Sequence, residues 1–223
     1  MRIYAIRTAR AIWLLPPYFL NPKGVYIRPA LEALKKKYRF EKSPYDSPPT
    51  SPPSPTADSV RFENGAFENK GKTVAISSFI IHGDGFVVET RSSTSDADAF
   101  LEDALKWMAK ENDLPDPSTH PFKKLYTSEI NFSFDKLPKF FSAKMNSFFK
   151  EVSSKVGEEK ENPLGFLAWQ ISADRNNALG QMASFRIDRE LNTKSAEGRL
   201  YSFATCHTNV HIELLKKLEA EIS

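Results

Sequence analysis

Residues 73–112 carry three hydrophobic patterns in a fixed order, and they restrict the chain more than any other stretch. Thr73 to Ile81 (TVAISSFII) and Phe86 to Ser92 are short runs rich in Val, Ile and Phe, joined across Gly83-Asp84-Gly85. Such runs, flanked by turn residues, predict two strands of an antiparallel hairpin. The period then changes. Ala97, Phe100, Leu101, Ala104, Leu105 and Met108 recur at helical spacing and form one apolar stripe. Ser95 is placed to accept from the free amides of the first turn, and Asp96 and Asp98 suit the positive end of the helix dipole. A hairpin with a backing helix predicts sheet covered on one side by helix.

The end of the chain echoes this unit. At an offset of 106 residues, Ser78, Phe79 and Ile81 fall on Ser184, Phe185 and Ile187; at 114, Thr94 and Leu101 fall on Thr208 and Leu215. The same shift of 114 places Ala97, Phe100, Ala104 and Met108 on His211, Leu214, Leu218 and Ile222. Extending outward, each half reads strand, helix, linker, three strands, helix. The expected fold is therefore α+β, an antiparallel sheet with helices packed on one face. A tandem duplication of a β-α-β-β-β-α unit with pseudo-twofold symmetry would generate it. The halves divide as 1–112 and 113–223, with one continuous domain as the other reading.

Within the first half, Arg2 to Ile6 predicts a short strand. Pro29 suits the first turn of a helix carrying Leu31, Leu34 and Tyr38, with Lys35, Lys36 and Lys37 at its negative end. The Pro-rich stretch 44–56 holds six prolines and predicts an extended spacer; a docking or modification site is its other reading. Val60 to Phe67 alternates weakly around Asn64-Gly65, a favoured hairpin-turn pair, and Lys70-Gly71-Lys72 turns the chain again. In the second half, Tyr126, Ser128, Ile130, Phe132 and Phe134 alternate with polar residues, as in a strand wet on one side. A helix with Phe141, Met145, Phe148, Val152 and Val156 follows. Strands at 164–172, 181–189 and 199–206 come next, turning Trp169/Ile171, Phe185/Ile187 and Tyr201/Phe203 inward. The closing helix from Asn209 buries His211, Leu214, Leu215, Leu218 and Ile222.

Charge is distributed unevenly. Residues 1–43 hold ten Lys/Arg against Glu32 and Glu41, giving +8, so a total of +3 leaves −5 for the remainder. One cysteine, Cys206, cannot form an internal disulfide, which fits a reducing cytoplasm. The apolar run AIWLL is interrupted by Pro16-Pro17, and no stretch approaches the ~20 apolar residues of a membrane span. No phosphate-cradling or dinucleotide fingerprint occurs, and no cofactor is expected.

Three groups of residues merit attention as sites. The proline-broken segment 13–26 displays Trp13, Tyr18, Phe19 and Tyr26, a long apolar loop that needs a cover from its own domain or from a protein partner. Arg7, Arg10, Lys35, Lys36, Lys37 and Arg39 interleave with aromatics, as nucleic-acid-binding surfaces do. Cys206, His207 and His211 form the most metal-like cluster, although His211 sits in an apolar stripe and suits a hydrogen-bonded core histidine equally well. No catalytic residue is assigned. The expectation is a non-catalytic interaction or assembly protein, acting in a complex or as a homo-oligomer. Nucleic-acid binding through 1–43 is the first alternative, and a hydrolase or metal-assisted enzyme near Cys206 the second.

Overall fold

The computed structural model describes residues 1–15, 27–43, 46, 59–112, 122–135, 168–172, 184–189 and 199–222. Among them the chain forms eight strands and three helices. In order these are β1 (Arg2–Leu14), α1 (Arg28–Lys37), β2 (Ser59–Asn69), β3 (Lys72–His82), β4 (Gly85–Thr90) and α2 (Thr94–Asn112). Then follow β5 (Lys123–Ser133), β6 (Ala168–Ser172), β7 (Ser184–Arg189), β8 (Arg199–Ala204) and α3 (Thr208–Ile222). The class is α+β, and the strands form an antiparallel sheet ordered β2-β3-β4-β1-β5-β8-β7-β6. Read inward from its two ends, that order is β2-β3-β4-β1 and β6-β7-β8-β5. The Pro-rich stretch 44–56 and the helix expected around Phe141 lie outside the described residues, apart from Asp46.

The structure extends or moves several expected elements. The first strand runs on to Leu14, because Ala9, Ala11 and Trp13 continue the alternation and are buried. Asn64-Gly65 is not a turn; β2 passes straight through it, in unbroken register with β3 from Ser59↔His82 to Asn69↔Lys72. The turn expected at Lys70-Gly71-Lys72 is present, made by Lys70 (φ 50°) and Gly71 (φ 79°), two successive left-handed residues that suit a two-residue hairpin. Asn64 does adopt φ 55°, and its use is on the outer edge of the sheet. There Tyr38–Lys42 lies along β2. The Ala66 amide donates to the Tyr38 carbonyl at 2.7 Å, and Lys42 and Glu63 exchange amide–carbonyl bonds at 3.1 and 3.3 Å. An edge strand with open donors invites pairing with other chains, and this segment occupies them.

In β3 the register to β4 shifts between Ile76 and Ser78, leaving Ser77 as the extra residue of a bulge. As a result Ile76 and Phe79, three apart, are both buried, while Ser78 points to the other face and donates to Glu89 Oε2 at 3.1 Å. The helix cap also differs from the expectation. Ser93, not Ser95, accepts from the Asp96 amide at 3.0 Å and donates to its carboxylate at 2.9 Å, which starts α2 two residues earlier.

The chain divides into two compact units. Unit 2 comprises Ile6–Ser128 and Thr205–Asn209; unit 1 comprises Met1–Ala5, Glu129–Ala204 and Val210–Ser223. This partition crosses the expected boundary at residue 112, since β1 and β5 each contribute to both units. Unit 2 is built around aromatic rings. Phe79 stacks with Phe40, Phe62 and Phe86, and Phe100 of α2 meets Tyr38, Phe40, Phe67 and Phe79 edge-on. In unit 1, Ile130, Phe132, Ile187, Leu200 and Leu215 form the core. Its strand β8 is one residue out of the expected phase. Leu200, Ser202 and Ala204 are buried, and Tyr201 and Phe203 lie half-buried on the opposite face.

Candidate functional sites

The basic residues of the first 43 positions are largely matched by carboxylates. Arg10 Nε donates to Glu89 Oε1 at 2.8 Å, Arg39 pairs with Glu68 at 3.1 Å, and Lys35 pairs with Asp46. Lys37 lies 3.6 Å from Asp103, Arg28 3.0 Å from Glu32 and Lys42 3.6 Å from Glu63. Arg7 and Lys36 are exposed. An uneven charge in the sequence has thus become a set of local pairs. Surface pairs of this kind add little stability, about 0–1 kcal/mol each, but they dilute the positive field that phosphates would seek.

Trp13, read from sequence as part of a partner-binding segment, is 2% exposed and belongs to the core of unit 2. Its indole donates to Asp98 Oδ1 at 2.7 Å, its ring meets Phe122 at 5.0 Å, and Lys124 Nζ sits 3.7 Å from the ring centroid. Tyr18, Phe19 and Tyr26 lie outside the described residues. The second oxygen of Asp98 accepts from the Tyr126 hydroxyl at 2.7 Å. Burial, with the bond to Asp98, pushes the Tyr126 phenol well above its usual range, so it stays protonated and donating. Asp98 therefore serves as the shared acceptor for a strand Trp and a strand Tyr, beyond the dipole role that its position suggested.

From Tyr126 the network continues to the metal-like cluster. The His207 ring lies against Tyr126 with centroids 3.6 Å apart, and its Nδ1 is 3.2 Å from Thr94 Oγ1. Thr94 and Thr208, the first residues of α2 and α3, hold one another. Each backbone amide donates to the other's hydroxyl, Thr94 N–H at 3.1 Å and Thr208 N–H at 3.0 Å. Both residues are buried. The first turn of a helix leaves amides without internal partners, and here each helix supplies what the other lacks.

The other two members of the cluster are used differently. His211 is fully buried, with Nε2 2.8 Å from Ser202 Oγ and its ring 5.6 Å from Phe185. Ser202 Oγ also donates to the Arg186 carbonyl at 2.8 Å. A hydroxyl has one proton to give, so Nε2 must carry the hydrogen and donate to Ser202. Burial lowers the His211 pKa to about 4, keeping the ring neutral near pH 7. Cys206 is half-buried, and burial raises its thiol pKa. A protonated thiol is a poor nucleophile and a poor metal ligand. Among the described residues no group of three His, Cys, Asp or Glu side chains is arranged to hold a metal ion.

On unit 1 the strand face opposite the core carries Tyr4, Ser133, Arg199, Tyr201, Phe203 and Arg186. Neither Tyr4 nor Arg199 is among the residues that the sequence singles out as a site. Tyr4 and Arg199 are nearly 200 residues apart in sequence, so no local spacing could pair them. Among the described residues, no helix is long and apolar enough to cross a membrane. No family model matches this chain, and neither a curated protein nor a solved structure resembles it significantly.

Proposed function

We propose that this chain is a non-catalytic interaction protein that presents unit 1 to a protein partner, a second copy of itself included. One observation carries the reading. Ile3, Ile171, Val210 and Leu214 are 37%, 54%, 38% and 43% exposed, and all four belong to unit 1. Val210 and Leu214 stand one turn apart on α3. Ile171 pairs with Phe185, whose ring packs on His211 of the same helix, and Ile3 lies on the strand face opposite Tyr4. Unit 2 has no large apolar side chain so exposed among its described residues. Of these, Val210 and Leu214 form a continuous exposed apolar pair on one helix, which supports an interaction site more than isolated single residues do.

The hydrolase or metal-assisted reading has less support, because His207 and His211 are engaged by Thr94 and Ser202 and the Cys206 thiol is held protonated. Size-exclusion chromatography with light scattering tests the proposal on the full chain and on Val210→Asp/Leu214→Asp. The expected result is an assembly, or a complex recovered from lysate, that the double variant loses while keeping its thermal transition. A strictly monomeric chain that retains no protein would refute it.

A further inference from the structure

We infer that the strand face of unit 1 around Tyr4 binds single-stranded nucleic acid, a different surface from the apolar side of α3. Tyr4 is 41% exposed although it sits within a strand. The guanidinium carbons of Arg2 and Arg199 lie 5.3 and 5.1 Å from its ring centroid, within the range of a cation–π contact. The Tyr4 hydroxyl and Ser133 Oγ are 3.1 Å apart, which ties the ring to the neighbouring strand β5. Both arginines are exposed. The result is an aromatic plane held in place, flanked by two cations, on a surface that no core residue needs.

That combination suits a base and its phosphates. Bases of unpaired strands stack on aromatic rings and guanidinium planes displayed by a sheet, and the backbone is neutralised by neighbouring cations. The same face continues through Tyr201 and Phe203 of β8, both half-buried, to Arg186 of β7 opposite Phe203. Arg186 is already engaged by Asp188, with Nε to Oδ1 at 2.8 Å, and Glu129 also points to this side. Arg2 and Arg199 are the two guanidinium groups that stand against the exposed ring. A duplex hides its base faces, so the geometry favours single strands.

Fluorescence anisotropy of the full chain with labelled oligothymidylate, at several salt concentrations, tests this. Tyr4→Ala is expected to weaken binding roughly 5- to 100-fold, the range for losing one stacked base. Tyr4→Phe retains the ring and should bind within about twofold of the parent chain, on the same stacking argument. Arg2→Ala and Arg199→Ala should each flatten the dependence of log K on log salt by about 0.7. Circular dichroism melts on each variant separate a lost site from a lost fold. The inference is overturned by undetectable binding to oligothymidylate, by binding that ignores salt, or by equal binding of Tyr4→Ala in its folded state. Duplex DNA that competes as well as the single strand, or a protein that occupies this face instead, overturns it too.

Discussion

Gly65 is the position at which a single methyl group tests the packing of unit 2. An alanine Cβ there would stand 2.6 Å from Phe40 Cδ1 and 2.9 Å from Cζ, far inside van der Waals contact. Phe40 cannot swing away cheaply. It is buried, its ring is tilted against Phe62 at 5.3 Å and stacked with Phe79 at 6.4 Å, and it meets Phe100 edge-on. On backbone grounds alone, Gly→Ala would stabilise by about 0.4–1 kcal/mol, because the unfolded chain loses freedom. Forcing an extra carbon into a packed core costs about 1–3 kcal/mol. The clash should win, leaving Gly65→Ala destabilised by roughly 1–2 kcal/mol in urea unfolding, with m unchanged. The diagnostic is the double variant. Phe40→Leu shortens the opposing side chain, so Gly65→Ala should cost less in that background, with a coupling on the order of 1 kcal/mol. If Gly65→Ala proves neutral, or the two changes simply add, the contact between Phe40 and Gly65 does not determine the residue at 65.

Three further outcomes follow from the polar contacts. Thr94→Ala and Thr208→Ala should each cost about 1–2 kcal/mol, and the pair should fall short of additivity, since each removes a bond to the other; serine at either site should rescue, measured by chemical denaturation. His211 is neutral when folded, so its contribution is complete above pH 6.5 and declines as pH falls toward about 4, where the folded ring protonates. The loss across that window is about 3 kcal/mol, and His211→Leu, which leaves Ser202 bonded to the Arg186 carbonyl, should flatten the stability–pH curve there. Asp98→Ala strands the buried Trp13 indole and the Tyr126 hydroxyl and should cost roughly 2–4 kcal/mol; Asp98→Asn, which keeps one acceptor oxygen, should cost less, and equal costs would argue against the shared-acceptor role.

The hairpin and the helical stripe of 73–112 were legible because the signal is local and the period changes once. The strand of β1 beyond Ile6 was not, because its inward residues include Ala9 and Ala11, which carry weak β preference. Asn64-Gly65 misled for a physical reason. The left-handed residue and the bare Cα that mark a turn were required here by the segment crossing the edge of β2 and by the Phe40 ring. At β8 an alternation of Tyr201 and Phe203 suggested the inward face, but the smaller Ser202 and Ala204 point inward with Leu200, where His211 needs the serine hydroxyl. Leu214 likewise falls on a stripe position, equivalent to Phe100 at the offset of 114, yet remains exposed. The tandem duplication is our proposal for the matched inward strand orders and for the mutual bonds of Thr94 and Thr208. A crystal structure in which β3-β4-α2 and β7-β8-α3 fail to superpose with Leu101 on Leu215 would refute it. The Tyr4 cluster could not have been read at all, since it exists only once Met1–Ala5 and β8 share a unit.

The way the two units draw on the chain has a consequence for synthesis on the ribosome. Unit 1 requires both Met1–Ala5 and Val210–Ser223, and unit 2 requires Thr205–Asn209. Domains ordinarily fold as they emerge, N-terminal first. Here neither unit has all its parts until residues 205–223 have been made, and Thr94 waits for a hydroxyl made 114 residues later. The nascent chain must therefore carry the phenylalanine-rich strands of unit 2 unfinished until Thr205–Asn209 have been added. Chaperone dependence, and sensitivity to loss of residues 205–223, should exceed what the stability of the finished protein suggests.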